Sequence, residues 1–369
     1  IDPIIDEKEV TLEEVEVNGS LAPLSSGKAA RMVTVLTRKE IQAAPVQSVN
    51  DLLKYAVAVD VRQRGALGAQ TDIGIRGGTQ EQVAVLLNGI DITDPHTGHN
   101  SVEYPVDLSE IERIEIIEGP ASRLFGTSSL VGAINIVTKL ADKSSIDFNT
   151  EGGSFGYFTI GGRVNARTGK FNNQISGNYK RSDGFSRAKS GALNADFKGG
   201  KAFYQGSFDD RNIGINWHGG MSIKDFGSNT FYGIGSDTQF EHVSKTFVAL
   251  QGESKRLWMH IKPAVYWNRT FDRFEYFRGT TKPVPYNYHL TNVFGARLNF
   301  YFDSSIGRTA FGAAYRNEDI VSGNLGEPLA NPKHISNTDR DYTHGLNRSD
   351  ISFHLEHNVL LKDFTLSTG

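Results

Sequence analysis

Asp94, His96 and His99 fall within six residues of one another in the stretch TDPHTGHNS, residues 93–101. Imidazole and carboxylate at that density could hold a metal ion or pass a proton. A catalytic zinc takes three protein ligands, however, and a spacing of three presets two of them only on a helix. Pro95 and Gly98 mark the stretch as a loop. No HExxH, GxSxG or GxxxxGK[ST] pattern occurs, and no nucleophile with a neighbouring base stands out. The reading is therefore of a loop that binds through hydrogen bonds, not of an enzyme, and with no resident metal.

The chain has 369 residues, 39 glycines and 10% aromatic residues, a composition of many turns and strands. Its net charge of -3 gives no electrostatic case for nucleic acid. With no cysteine, disulfides and thiolate metal sites are excluded. No apolar run is long enough for a membrane-spanning helix. The opening IDPIIDEKEV carries no basic-then-apolar export signal, so such a signal is expected to have been removed or never present.

Residues 1–30 read as a flexible polar segment whose one strand-like run is LEEVEVNGS; SLAPLSSGKAA reads as a linker. The run is either an edge strand of the next domain or a strand awaiting a partner. Residues 31–141 read as a compact mixed domain. MVTVLT, VDVRQ, DIGIRG, QVAVLL, IERIEII and GAINIVTK are strands. Thr37 with Glu40 makes a capping box, Ser48 with Asp51 opens a second helix through LLKYA, and Asn88-Gly89 makes a hairpin turn.

From residue 142 to 369 the pattern changes to sustained alternation. Phe294, Ala296, Leu298, Phe300 and Phe302 alternate with Gly295, Arg297, Asn299, Tyr301 and Asp303; Ile351, Phe353, Leu355 and Val359 alternate with Ser352, His354, Glu356 and Asn358. A soluble sandwich would alternate too. The runs span about 9 to 11 residues, the length of a tilted membrane-crossing strand, and aromatics gather at their ends. This favours a transmembrane β-barrel, of which the segment holds about 10 to 12 strands at roughly 10 residues per crossing. A passive porin or a secreted all-β protein is the alternative from another class.

QSVNDLLKYAVAVDV, the IRGG of residues 75–78, VLLNGIDI, the EIERIEIIEGPASRLFG of residues 110–126 and GAINIVTK together resemble the plug domain of TonB-dependent outer-membrane receptors. The alternating region, with its YKRSDGFSR, is similar to the amino-terminal half of that family's 22-stranded barrel. The resemblance implies a mixed α/β plug inside a transmembrane antiparallel β-barrel of the bacterial outer membrane, amino terminus in the periplasm. About the amino-terminal half of the barrel is expected in this chain. It further implies import of a scarce nutrient driven through TonB with ExbB and ExbD. The plug is most similar to the cobalamin receptors; a ferric siderophore or haem is the alternative cargo.

By the same resemblance, a TonB box is expected near residues 12–18, with Glu14, Val15, Glu16, Val17 and Asn18 pairing to TonB as an added strand. The family has a commoner pattern than Glu16 and Asn18 provide. Arg76 and Glu118 are expected to face the barrel wall, Arg76 against a barrel carboxylate, although the family usually has a basic residue where Glu118 stands. Ligand contacts are expected from two outward loops: Arg64, Gln70 and Thr71 in one, His96, Thr97, His99 and Asn100 in the other. Calcium in the extracellular loops, at Asp183, Asp196, Asp209 and Asp210, and a surface lipoprotein cap are options the family pattern leaves open.

Overall fold

The computed structural model describes residues 16–17, 24–25, 32–63, 70–119, 129–185, 194–229, 231, 236–279, 286–361 and 365–369. Two short strands, β1 (Glu16–Val17) and β2 (Leu24–Ser25), pair antiparallel with each other. Within the strand-like run of the amino-terminal segment, the described residues Glu16 and Val17 pair with Ser25 and Leu24. Part of the expected linker supplies that partner.

The mixed domain follows with β3 (Val33–Thr37), α1 (Arg38–Ala43), α2 (Val49–Leu53), β4 (Val59–Gln63), β5 (Thr71–Ile75), β6 (Val83–Leu87), β7 (Ile90–Asp91), α3 (Gly98–Ser101), β8 (Ile111–Glu118) and β9 (Gly132–Thr138). Local chemistry sets the boundaries. Thr37 and Glu40 close a reciprocal capping box on α1, and the Ser48 hydroxyl accepts from the Asp51 backbone N–H at the start of α2. Asn88 and Gly89 both take positive φ, 51° and 76°, which is what a two-residue turn between β6 and β7 requires. The sheet order is β3-β8-β9-β6-β7, with β4 and β5 forming a separate hairpin.

β6 reads VAVLL without alternation because it is buried on both faces, and all five of its residues are fully shielded. Each such aliphatic side chain contributes roughly 1.5–3 kcal/mol by leaving water. Beside it, Gly132 sits where a Cβ would lie 2.4 Å from the Ile117 carbonyl oxygen and 2.9 Å from Ile75 Cδ1. Gly132→Ala is expected to destabilise the domain by about 1–3 kcal/mol through overpacking. Gly152→Ala, whose new Cβ would meet nothing nearer than 3.9 Å, is expected to change stability by less than about 0.5 kcal/mol. Urea unfolding midpoints of the two variants check the contrast.

The remaining strands are β10 (Ser145–Gly152), β11 (Phe158–Thr168), β12 (Phe171–Ser182), β13 (Phe197–Asp209), β14 (Ile213–Asn229), β15 (Gln239–Ser254), β16 (Met259–Glu275), β17 (Tyr286–Ser304), β18 (Gly307–Ser322), β19 (Glu327–His334), β20 (Asp341–Leu360) and β21 (Thr365–Thr368). They form one antiparallel sheet of 12 strands, open among the described residues, with β10 at one edge and β19 and β21 along the far side of β20. Short connections such as 169–170, 210–212 and 305–306 gather at one end. Longer ones, 183–196 and 323–340 among them, gather at the other.

The outward face carries the apolar half of the alternation. On β16 it runs from Met259 to Trp267, paired row by row with Phe302 to Phe294 on β17. Phe294 and Leu298 are exposed on that face while Asn299 and Tyr301 are buried on the other. β14 to β18 and β20 nevertheless run 16 to 20 residues, longer than the sequence period indicated. The reason lies past Trp267, where Arg269 pairs with Asn292, and Asn292 with Asp319. The apolar rows mark only the height of the lipid-facing band, and the strands continue beyond it.

Candidate functional site

The mixed domain packs against the polar inner face of the curved sheet, and its core is continuous with the sheet through Phe203, Phe247, Ala249 and Ala264. Around this apolar contact, strand side chains reach inward and donate to backbone carbonyls of the domain. Lys245 Nζ, fully buried, donates to the carbonyls of Ile92 (2.9 Å) and Asn100 (3.2 Å). Lys201 Nζ donates to Val106 O at 2.9 Å, and Lys180 to Gln47 O. Arg297 Nη2 donates to Gly89 O at 3.0 Å, and Gln251 Nε2 to Asn88 O at 3.2 Å. Each of these carbonyls thereby has a donor at the contact between the domain and the wall.

Arg316 on β18 is the most heavily engaged of these groups. Nη1 lies 3.0 Å from Asp91 Oδ2, Nη2 donates to Thr93 O at 2.9 Å, and Nε lies 2.7 Å from Glu318 Oε1. Glu318 is paired in addition with Arg348 at 2.6 Å. Nothing in the local sequence singles Arg316 out, since it occupies an ordinary polar position in an alternating strand.

The stretch 93–101 is not the exposed apical loop that its composition suggests. Thr93, Asp94, Asn100 and Ser101 are buried against the inner face of the sheet. Asp94 Oδ1 accepts from the backbone N–H groups of His96 (2.8 Å) and Thr97 (3.2 Å), folding the loop back onto itself. The His96 ring lies 4.0 Å, centroid to centroid, from that of His289 on β17. Burial lowers the His96 pKa below the ordinary imidazole value, offset in part by the Asp94 charge. Thr97 Oγ1 sits 2.9 Å from His99 Nδ1. Asn100 has its backbone carbonyl committed to Lys245.

Of the other predicted contacts, Gln70 and Thr71 are buried at the end of the β4–β5 hairpin where β5 begins, with Gln70 Oε1 and Thr71 Oγ1 lacking hydrogen-bond partners among the described residues. Arg64 lies outside the described residues, as do Glu14, Val15 and Asn18; Glu16 and Val17 are in β1. Among the described residues, the carboxylate that Arg76 meets is on the plug and not on the barrel. The Arg76 Nε lies 2.9 Å from Glu118 Oε2, because β5 and β8 end side by side, so the two residues expected to reach the wall separately pair with each other. Thr34 Oγ1 donates to the same carboxylate at 3.4 Å.

Asp209 and Asp210 lie at the short-turn end, opposite Asp183 and Asp196, so the four do not share a set of loops. Asp210 Oδ1 caps the turn by accepting from the backbone N–H groups of Asn212 and Ile213, Asp209 pairs with Lys255, and Asp196 pairs with Arg278. Among the described residues, no three His, Asp or Glu side chains are placed to hold a metal ion.

At the long-loop end, a cavity of about 80 Å³ lies between the domain and β12 to β14. Gln47, Gln63, Glu103, Tyr104, Lys180 and Lys224 contribute to its lining, with Lys224 paired to Glu103. Tyr104 is buried and its hydroxyl has no partner among the described residues; burial raises its pKa. An apolar-looking tyrosine between two turns gave no sequence signal for such a place.

Residues 26–133 match the family model described as the TonB-dependent Receptor Plug Domain. The chain carries a TonB-dependent receptor plug. It is 31% identical over 159 residues to the vitamin B12 transporter BtuB of Photobacterium profundum, a match covering 42% of this chain and 26% of that protein. It is 26% identical over 209 residues to the vitamin B12 transporter BtuB of Vibrio vulnificus, covering 54% and 34%. In fold it is similar to the FrpB iron transporter of Neisseria meningitidis, with a TM-score of 0.72 at 16% identity over 91% of this chain and 57% of that one. The siderophore receptor PirA of Acinetobacter baumannii gives 0.65 at 17% identity over 92% and 55%. The chain therefore spans little more than half the length of these solved receptors, and its matches take in about a quarter to a third of the curated transporters. The plug and the antiparallel barrel sheet agree with the fold expected from sequence.

Proposed function

We propose that this chain works as a TonB-dependent receptor that binds a scarce nutrient outside the bacterial outer membrane and imports it into the periplasm, with cobalamin as cargo. The long-loop end is the extracellular end and the short-turn end the periplasmic one, in keeping with the usual asymmetry of outer-membrane barrels. Residues 1–30 form the periplasmic segment with the TonB box near 12–18, residues 31–141 the plug and 142–369 the barrel portion. The observation that carries the reading is a folded domain held across the inner face of a lipid-facing sheet by buried side-chain donors. A domain seated in this way blocks passive diffusion, so transport needs work delivered from the periplasmic side, here by TonB with ExbB and ExbD. A surface lipoprotein cap would act at the long-loop end.

The cobalamin assignment is supported by the match to the two vitamin B12 transporters. The extracellular site consists of the Arg64 loop, Gln70 and Thr71 beside the cavity that contains Tyr104; His96, Thr97, His99 and Asn100 support it from the wall side. A ferric siderophore is the second reading, favoured by the fold likeness to siderophore and iron receptors. Labelled cyanocobalamin is expected to bind the purified full-length receptor saturably in calcium-containing buffer, with haem and ferric siderophores failing to compete. Absence of saturable binding, or displacement by a ferric siderophore, would transfer the cargo to the second reading and leave the transporter class standing.

A further inference from the structure

Arg181 on β12 and Lys198 on β13 are direct register partners on the outward face of the sheet. Side chains of the opposite parity fix that orientation, since Lys180 donates inward to Gln47 O and Lys201 inward to Val106 O. Like charges set opposite each other across a strand pair repel, with their Cβ atoms about 5 Å apart. Lys198 has a counter-charge on its other side, where its Nζ lies 3.4 Å from Asp225 Oδ2. That carboxylate is shared, because Asp225 Oδ1 sits 2.6 Å from His242 Nδ1. Arg181 is exposed and has no ion pair or side-chain hydrogen bond among the described residues. The Asp183 carboxylate, two residues on, is turned towards the 153–157 loop, where a Cβ built on Gly156 would lie 2.2 Å from its Oδ2.

The pair stands where the apolar band of these strands ends. Next to Arg181 on the outward face of β12, towards the short-turn end, come Tyr179 and, past Gly177, Ile175, 42% and 59% exposed. The register places Phe158 and Ile160 of β11 beside Arg181 and Tyr179, and both are exposed. At the long-loop ends of the same two strands, the rings of Phe155 and Phe185 lie 5.5 Å apart and are 59% and 60% exposed. Aromatic rings and cations at the margin of a lipid-facing band belong to the headgroup layer of a membrane. An under-neutralised guanidinium there is complemented by an anion carried on the lipid itself.

We propose that Arg181 and Lys198 dock the headgroup of a phosphomonoester-bearing lipid of the outer leaflet, with Phe158, Ile160, Ile175 and Tyr179 against its acyl chains. A phosphomonoester has three acceptor oxygens, enough for the Arg181 fork and the Lys198 ammonium together, and its charge removes the repulsion between them. The choice of leaflet rests on the reading that the long-loop end is extracellular. Cargo and energy coupling play no part in it.

The test is native mass spectrometry of the purified full-length receptor in detergent, titrated with bisphosphorylated lipid A, with the same lipid stripped of its phosphates, or with inorganic phosphate. A saturable lipid A adduct is expected, and both phosphate removal and the double substitution Arg181→Gln with Lys198→Gln are expected to weaken it about tenfold or more. Both side chains are solvent- or lipid-exposed, so the double variant is expected to keep its heat-modifiable migration on a gel. Arg211→Gln, the same charge change at the short-turn end, leaves the adduct unchanged. Equal binding by the double variant, equal binding of the stripped lipid, or displacement of lipid A by inorganic phosphate at the same concentration overturns the proposal. Ser336→Cys gives this cysteine-free chain one thiol, in the 323–340 loop. Its labelling on intact cells by a membrane-impermeant maleimide checks the extracellular reading by itself, so failure of the site and failure of the orientation are told apart.

Discussion

Arg316→Met is expected to loosen the docking of the plug by about 3–5 kcal/mol, the range for breaking a buried ion pair from one side. The side chains of Arg316 and Asp91 are 17% and 14% exposed, so solvent does little to compensate either group. Methionine fills much of the volume but leaves Asp91 without its cation and the Thr93 carbonyl without its donor. Glu318 is spared, because Arg348 still reaches it. The expected readout is a fall in the urea concentration at which the plug becomes sensitive to protease. Adding Asp91→Asn to Arg316→Met is expected to recover a large part of the loss, since the cost comes from the stranded carboxylate. If the double variant is as unstable as the single one, the ion pair is not what holds this loop to the wall.

The second large effect concerns energy coupling. On the proposed function, deletion of residues 12–18 abolishes uptake and leaves binding at the cell surface intact. Strand addition draws its affinity from backbone hydrogen bonds, so residue identity matters less than the presence of N–H and C=O groups. Val17→Pro, which removes a donor, is therefore expected to depress uptake strongly, whereas Glu16→Gln leaves it close to wild type. In the structure Glu16 and Val17 already pair with Ser25 and Leu24. A ladder of two residues is weak by itself, and an incoming strand has to displace or extend it. Uptake persisting after the deletion would place the coupling segment elsewhere, and loss of surface binding would show that the segment supports the site instead.

Much of the plug was legible in the sequence because its signals are local. The Thr37–Glu40 box, the Ser48 cap and the Asn88-Gly89 turn each fix a boundary from two or three adjacent residues. The lipid-facing band was legible as a period of two, but the full strand length was not, because the alternation loses its apolar half at Arg269 while the ladder continues. The docking contacts were invisible for a different reason. Lys245, Arg297 and Arg316 bond to carbonyls of Ile92, Gly89 and Thr93, and a carbonyl has no letter in the sequence. Arg76 and Glu118 were visible as charges. Only the fold shows that they stand beside each other.

That preference for carbonyls has a consequence for how the two parts tolerate change. A wall that grips the backbone is indifferent to most of the side chains it holds. Along the carbonyl contacts a plug can drift in sequence, or be exchanged for that of a relative with the same chain path, while Lys201, Lys245 and Arg297 keep their partners; Asp91 and Glu103, whose side chains pair with Arg316 and Lys224, are the exceptions. The burden of recognition falls on a few inward positions of the barrel, and the plug's own surface is left free to specialise in what it binds.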